Sequence, residues 1–132
     1  MQKANSEGVI RTKLGRKCRF DLWEPKDFGV HTPEKFENAS AKYGSSNIKR
    51  AFTYKALNRL IQGSAADQTK QAVVSCQAAG FLPILQIHDE LCFNVECDED
   101  IEKIKSVMEA CVKLKVPSVV DVAIGKDFGK AS

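Results

Sequence analysis

Residues 81–95 read Phe81-Leu82-Pro83-Ile84-Leu85-Gln86-Ile87-His88-Asp89-Glu90-Leu91-Cys92-Phe93-Asn94-Val95. Two apolar, strand-like runs flank three polar residues, which predicts a β-hairpin with His88, Asp89 and Glu90 at its tip. Side chains at a hairpin tip lie outside the strand ladder and are free to face a ligand. Adjacent carboxylates suit Mg²⁺, which proteins hold with one or two carboxylates plus substrate phosphates. A polar turn without a role is the alternative, because polar residues are common in turns.

A helical pattern precedes this hairpin in the sequence. The segment from Ile48 to Ile61 places its apolar residues on one side, which predicts an amphipathic helix. The spacing of Ser64 and Asp67 resembles a capping box and predicts a second helix that runs to about Ala79. The pattern leaves open whether Gly63 breaks or kinks the chain between them.

The polar face of this helix is a second candidate site. Its four residues follow i, i+3, i+4 and i+7 spacing and so share one face: Lys55, Asn58, Arg59 and Gln62. Lys and Arg can contact phosphates, whereas Asn and Gln can donate to minor-groove acceptors that every base pair presents in similar places. The pattern therefore fits a surface that grips a duplex without reading its sequence. On spacing alone, the solvated face of a helix is the more common cause of such a pattern.

The rest of the chain predicts a mixed fold. Alternation around a Gly-containing turn predicts a hairpin from Gly8 to Phe20. Residues 21–46 show no periodicity and predict a long loop that has room for a short helix near Pro33 to Phe36. Asp98 is the expected cap of a third helix that Pro117 stops, and a strand is expected from Ser118 to Ile124. We therefore expect one α+β domain over residues 1–132, with a small, mainly antiparallel sheet and helices packed on one face.

Composition narrows the class of protein. The chain has 132 residues and a net charge of +3, and its Lys and Arg lie mostly between residues 10 and 70. Five cysteines without a C-x-x-C pair, beside only two histidines, disfavour a zinc site and fit free thiols in a reducing compartment. No segment resembles a signal peptide or a membrane span, so a cytoplasmic protein without a membrane partner is expected.

Two motifs together resemble those of family A DNA polymerases, which include bacterial DNA polymerase I and phage replicative polymerases. They are Leu60-Ile61-Gln62-Gly63-Ser64-Ala65-Ala66-Asp67 and, about two dozen residues later, Leu85-Gln86-Ile87-His88-Asp89-Glu90-Leu91. The first hairpin is similar to the family's G-x-x-x-T-x-x-G-R-R stretch, and residues 116–128 are similar to its C-terminal strand and terminal aromatic. The resemblance covers nearly the whole chain except Asp21 to Ser46, and it favours a phage-type member.

The resemblance implies a role for each candidate residue. His88-Asp89-Glu90 would be motif C on the palm hairpin, with Asp89 as one of two metal-binding aspartates of a two-Mg²⁺ site and Glu90 as a supporting acid. His88 would contact the primer end. Asn58 and Gln62 would contact the minor groove of the primer–template duplex. The family usually has a basic residue where this chain has Tyr54, and Lys55 or Arg50 is the expected replacement, with Arg59 nearby.

Other family motifs are not found in the sequence. These are the D-Y-S-Q-I-E-type motif with the other aspartate and the K-x-x-x-F-G-x-x-Y-G helix that holds the incoming nucleotide. We therefore expect the isolated chain to be inactive and to bind a dNTP only together with a partner chain that supplies both. A naturally split polymerase gene or an expressed fragment would produce such a chain, in the host cytoplasm if the source is viral.

Two other functions remain as alternatives. The chain could be a catalytically inactive module that binds duplex DNA. It could also be a small metal-dependent hydrolase that uses His88, Asp89 and Glu90, although no further carboxylate cluster completes such a site.

Overall fold

The computed structural model describes residues 2–130, which fall into two compact units, one up to Ala65 and the other from Ala66 onward. The first unit contains α1 (Gln2–Ser6), β1 (Val9–Arg11), β2 (Lys17–Arg19), β3 (Leu22–Pro25), β4 (Glu34–Lys35), α2 (Phe36–Tyr43), β5 (Ile48–Arg50) and the start of α3 (Ala56–Ala78). The second contains the rest of α3, then β6 (Leu85–Ile87), β7 (Glu90–Cys92) and α4 (Asp98–Ala110). Short 3₁₀ turns occur at Ser45–Asn47, Thr53–Lys55 and Phe128–Lys130.

The β1–β2 hairpin confirms the prediction for Gly8 to Phe20. The strands are antiparallel, with Ile10 opposite Cys18, and Gly15 takes a positive φ of 91° in the turn. Ile10 and Cys18 pack against the small core of the first unit, which consists of Ala4, Phe20 and Ala56. Alternation within each strand thus separates an apolar inner face from a charged outer face.

The predicted long loop over residues 21–46 is wrong for most of its length. It contains β3, β4 and α2, and β3 lies between β4 and β5 in an antiparallel three-stranded sheet. The ring of Trp23 on β3 meets that of Phe36 on α2 edge to face, with centroids 5.1 Å apart. These elements are stabilised by contacts between distant residues, which a local period in the sequence cannot reveal.

The helix predicted from Ile48 begins only at Ala56. Ile48–Arg50 pairs with β3, which buries Ile48, and Phe52 takes a left-handed conformation with φ of 60° that redirects the chain into α3. Beyond it, α3 continues through Gly63 to Ala78. Ser64 is therefore not a cap, and its hydroxyl donates to the Leu60 carbonyl at 2.7 Å within the helix.

The second unit confirms the predicted hairpin of β6 and β7, and it corrects both ends of the third helix. α4 begins at Asp98, with Cys97 rather than Asp98 at the N-cap position. It ends at Ala110, well before Pro117. Ile104 in α4 and Val112 just beyond it are buried.

The strand predicted from Ser118 to Ile124 does not form among the described residues. The backbone N–H of Val120 donates instead to the Glu109 carboxylate at 3.0 Å. Alternating apolar residues indicate the faces of a strand but supply no partner strand to pair with it.

The predicted α+β class with antiparallel pairing is confirmed, although within residues 2–130 the strands form three small sheets rather than one. The expectation of a single domain over residues 1–132 stays a prediction. No helix in the described part of the chain combines the length and apolar character needed to cross a membrane.

Candidate catalytic tip and DNA-binding groove

The tip of the β6–β7 hairpin is tighter than the sequence indicates. Ile87 pairs with Glu90, so the turn consists of two residues, His88 and Asp89, and Glu90 is already the first residue of β7. His88 takes a positive φ of 53°, a conformation that His adopts more readily than most residues with a side chain. Gln86 Nε2 donates to the His88 carbonyl at 3.2 Å across the turn. This turn holds the Asp89 backbone at the end of a short ladder.

The carboxylates of the tip are accessible. His88, Asp89 and Glu90 are all exposed. Within residues 2–130, neither Asp89 nor Glu90 forms a salt bridge or a side-chain hydrogen bond. Both therefore retain their oxygen atoms for an external cation.

The tip offers two adjacent carboxylates, those of Asp89 and Glu90, to a cation. Among the described residues, no group of three or more His, Cys, Asp or Glu side chains is placed to hold a metal ion. One or two carboxylates nevertheless fit Mg²⁺, because this ion commonly takes its remaining ligands from water and from substrate phosphates. A two-metal site would need further carboxylates from outside the described chain.

An open groove of about 540 Å³ lies beside the first turns of α3. Its lining consists of Tyr54, Lys55, Asn58, Arg59 and Gln62. The helix thus places together the four polar residues that the spacing predicts, and Tyr54 forms part of the wall. Asn58 and Gln62 are exposed and make no side-chain hydrogen bond within the described chain, so their amides are available to a ligand.

The two groove cations rest on aromatic rings. Lys55 Nζ lies 5.1 Å from the ring centroid of Phe52 and 5.5 Å from that of Tyr54. The Arg59 guanidinium lies 5.2 Å from the Phe20 ring centroid, and its Nη1 is 3.7 Å from Cys18 Sγ. These contacts limit the freedom of both side chains while their residues remain exposed.

Arg50, the other predicted DNA contact, is not part of the groove lining. Its guanidinium lies 4.5 Å from the Trp23 ring centroid, and Nη1 donates to the Phe20 carbonyl at 3.0 Å. Nε is buried without a hydrogen-bond partner in the described structure. The sequence gives no signal for this arrangement, since Trp23 and Phe20 are distant along the chain. Arg50 on β5 therefore contacts Trp23 of β3 and Phe20, the residue after β2.

The tip belongs to the second unit and the groove to the first. The tip presents accessible carboxylates, and the groove presents amides beside cations.

Comparisons with known proteins show which family the chain resembles. The family model of DNA polymerase family A matches residues 1–130. The chain is 41% identical over 127 residues to a DNA-directed DNA polymerase of Pseudomonas phage M6, covering 96% of this chain and 16% of that protein. It is 37% identical to DNA polymerase I of Mycobacterium leprae over 100% of this chain and 14% of the relative. For DNA polymerase I of Pseudomonas aeruginosa the identity is 30%, over 98% and 13%.

The chain therefore spans only about one-seventh of the length of these relatives. Because the family model covers almost every residue, from the β1–β2 hairpin through the groove and the β6–β7 tip, the chain belongs to DNA polymerase family A.

Proposed function

We propose that this chain is a segment of a DNA-directed DNA polymerase to which it contributes one metal-binding aspartate, Asp89, and contacts to the primer–template duplex. The observation that carries the proposal is the accessible Asp89 carboxylate in a two-residue β-turn, in a chain that belongs to DNA polymerase family A. A short turn closed by strand pairing fixes the backbone on both sides of the ligand, as a metal ligand requires.

The chemistry explains the need for such a carboxylate. Two Mg²⁺ ions, when bound, activate the attacking 3′ hydroxyl and stabilise the leaving pyrophosphate. Asp89 offers the carboxylate oxygens, and Glu90 adds negative charge that favours cations at the same place. His88 precedes Asp89 in the turn and is assigned to the primer end.

The groove supplies the DNA contacts. Asn58 and Gln62 are assigned to minor-groove acceptors, which all base pairs present in similar positions, so that binding does not depend on sequence. Lys55 and Arg59 are assigned to phosphates on either side. Because the Arg50 guanidinium is engaged by Trp23 and Phe20, we assign to Lys55 the positive charge that the family usually places at Tyr54.

The catalytic site is completed by polypeptide outside these residues. The other aspartate and the groups that hold the incoming dNTP come from that part, which we take to be the partner of this chain.

The second candidate function is a DNA-binding module without catalysis. One observation favours it: all residues that line the groove lie in the first unit, so duplex binding needs no residue of the tip.

Primer extension distinguishes the two functions. The chain is mixed with the remaining polypeptide of the same polymerase, primer–template, dNTPs and Mg²⁺, and each component is also omitted in turn. We expect extension only with both polypeptides, and a loss of about 100-fold or more in Asp89→Asn. Asp121→Asn, which removes an exposed carboxylate elsewhere in the same unit, is the matched control and should retain activity.

Duplex binding without extension in any combination, unaffected by Asp89→Asn, would support the module instead. Hydrolysis of phosphodiesters by this chain alone would support the metal-dependent hydrolase.

A further inference from the structure

The β1–β2 hairpin concentrates positive charge outside the groove. Residues 8–20 include five Lys or Arg and no acid: Arg11, Lys13, Arg16, Lys17 and Arg19. Strand pairing brings three of them to one surface. Arg11 is directly opposite Lys17, and Arg19 lies two residues further along β2 on the same face.

This arrangement costs stability in the chain alone. Directly opposite residues of an antiparallel pair have Cβ atoms about 5 Å apart, and like charges at that distance repel. The charged side chains take no part in packing on the core, because the face that packs there is formed by Ile10 and Cys18. An anion bound on this face would offset the repulsion.

The described part of the chain does not supply that anion. Arg11, Lys17 and Arg19 are exposed, and no acidic side chain among residues 2–130 forms an ion pair with any of them. The Arg11 guanidinium instead donates to the Gly15 carbonyl at 3.2 Å. Up to residue 65 the sequence has thirteen Lys and Arg against six Asp and Glu, a net charge of +7, whereas the remainder carries −4. The unit that contains the hairpin therefore favours a polyanion.

The hairpin also adjoins the groove within the first unit. Arg59, which lines the groove, reaches Cys18 on β2. The backbone N–H of Lys13 donates to Ser64 Oγ on α3 at 3.4 Å. Gly63 permits this close approach, because a Cβ there would lie 3.0 Å from Thr12 Cγ2. These contacts place the hairpin next to the groove within the first unit.

We propose that Arg11, Lys17 and Arg19 form a phosphate-binding face that grips the backbone of the DNA beyond the groove, independently of base sequence. This inference rests on the proposed function, since it assigns further contacts to the same duplex. Bound phosphates would offset the repulsion between the paired cations.

The salt dependence of duplex binding tests the proposal. Affinity of the 132-residue chain for a short mixed-sequence duplex is measured between roughly 50 and 200 mM salt, where each phosphate contact contributes about 0.9 to the log–log slope. The triple variant Arg11→Gln, Lys17→Gln, Arg19→Gln should reduce the slope by about 2 to 3 and weaken binding roughly tenfold or more.

The matched control changes the net charge by the same amount elsewhere. Lys103→Gln, Lys113→Gln, Lys115→Gln removes three exposed lysines of the second unit and should leave the slope nearly unchanged. Equal slopes for the two triple variants would overturn the proposal. If the groove variant Asn58→Ala, Gln62→Ala still abolished binding in that case, the proposed function would stand without this face.

A failure of the unsubstituted chain to bind duplex at low salt would overturn both the inference and the DNA-binding part of the proposed function. A second variant separates ligand binding from folding. Lys17→Glu replaces the cross-strand repulsion with an Arg–Glu attraction, so it should raise the Tm while weakening duplex binding. A lower Tm, or unchanged affinity, would contradict the proposal.

Discussion

At the scale of single residues, Arg50 and Lys55 show how two predicted DNA contacts receive different roles. Arg50→Gln removes a charged hydrogen bond to the Phe20 carbonyl and a cation–π contact with Trp23. We expect the free energy of unfolding to fall by about 1–3 kcal/mol. Lys55→Gln should cost no more than about 0.5–1 kcal/mol, from its exposed cation–π contacts, but weaken duplex binding. Urea unfolding and duplex titration of both variants measure the difference, and the opposite assignment would refute it.

The position of the Arg50 side chain also explains why residue 8 is a glycine. Gly8 has φ of 68°, and a Cβ there would lie 2.5 Å from the Arg50 guanidinium. Gly15 has φ of 91° with nothing within 4 Å, so it provides a matched control for the backbone cost alone.

We therefore expect Gly15→Ala to cost about 1–2 kcal/mol of stability, from left-handed backbone strain. Gly8→Ala should cost about 1–3 kcal/mol more, because Arg50 must leave its partners. Fluorescence of Trp23, the single tryptophan, reports unfolding in urea for both. Equal losses would show that Arg50 moves aside freely.

At the scale of elements, the sequence predicts best those structures whose information is local. Both hairpins follow from alternation around a turn, and the groove follows from helical spacing around Asn58. The pairing of β3 with β5 and the end of α4 depend on distant contacts, so the pattern alone misplaces them. The positions of the tip and groove residues were predictable because each set lies in one local element. The contacts of Arg50 with Trp23 and Phe20 were not, because those residues are distant in sequence.

Two cysteine thiols of the second unit, Cys76 in α3 and Cys111 just after α4, make its stability depend on pH. Burial raises the pKa of the Cys76 thiol above its ordinary value of 9.0, and the charge of Cys111 raises it further. Burial likewise raises the pKa of Cys111. A raised pKa in the folded state means that the stabilising contribution is fully present below about pH 9 and is lost as pH rises through the folded-state pKa.

We therefore expect the chain to lose stability above pH 9, and Cys76→Ala to reduce that loss. At pH 8, iodoacetamide should modify Cys76 roughly tenfold or more slowly than the exposed Cys97. Mass spectrometry of the labelled cysteines measures both rates. Similar rates would show that Cys76 is accessible in solution.

At the scale of the whole molecule, both units expose large apolar side chains. The second unit exposes a series of large apolar side chains outside its helices: Leu82, Ile84, Leu85, Val95, Leu114, Val116, Val119, Val122, Ile124 and Phe128. Exposed apolar side chains that lie together commonly mark an interaction site. Because the chain spans about one-seventh of its relatives, we expect the remaining polymerase to cover this surface.

Without that covering, the chain should associate with itself. Val119→Ser, Ile124→Ser removes two side chains that are 74% and 59% exposed, and it should shift sedimentation towards the monomer at a given concentration. Phe28→Ser, Val30→Ser is the matched control, because both of these residues are fully exposed in the first unit. If the control pair, and not the first pair, restored the monomer, the apolar surface of the second unit would not be the associating one. Addition of the remaining polymerase should compete with self-association, since both would cover the same side chains.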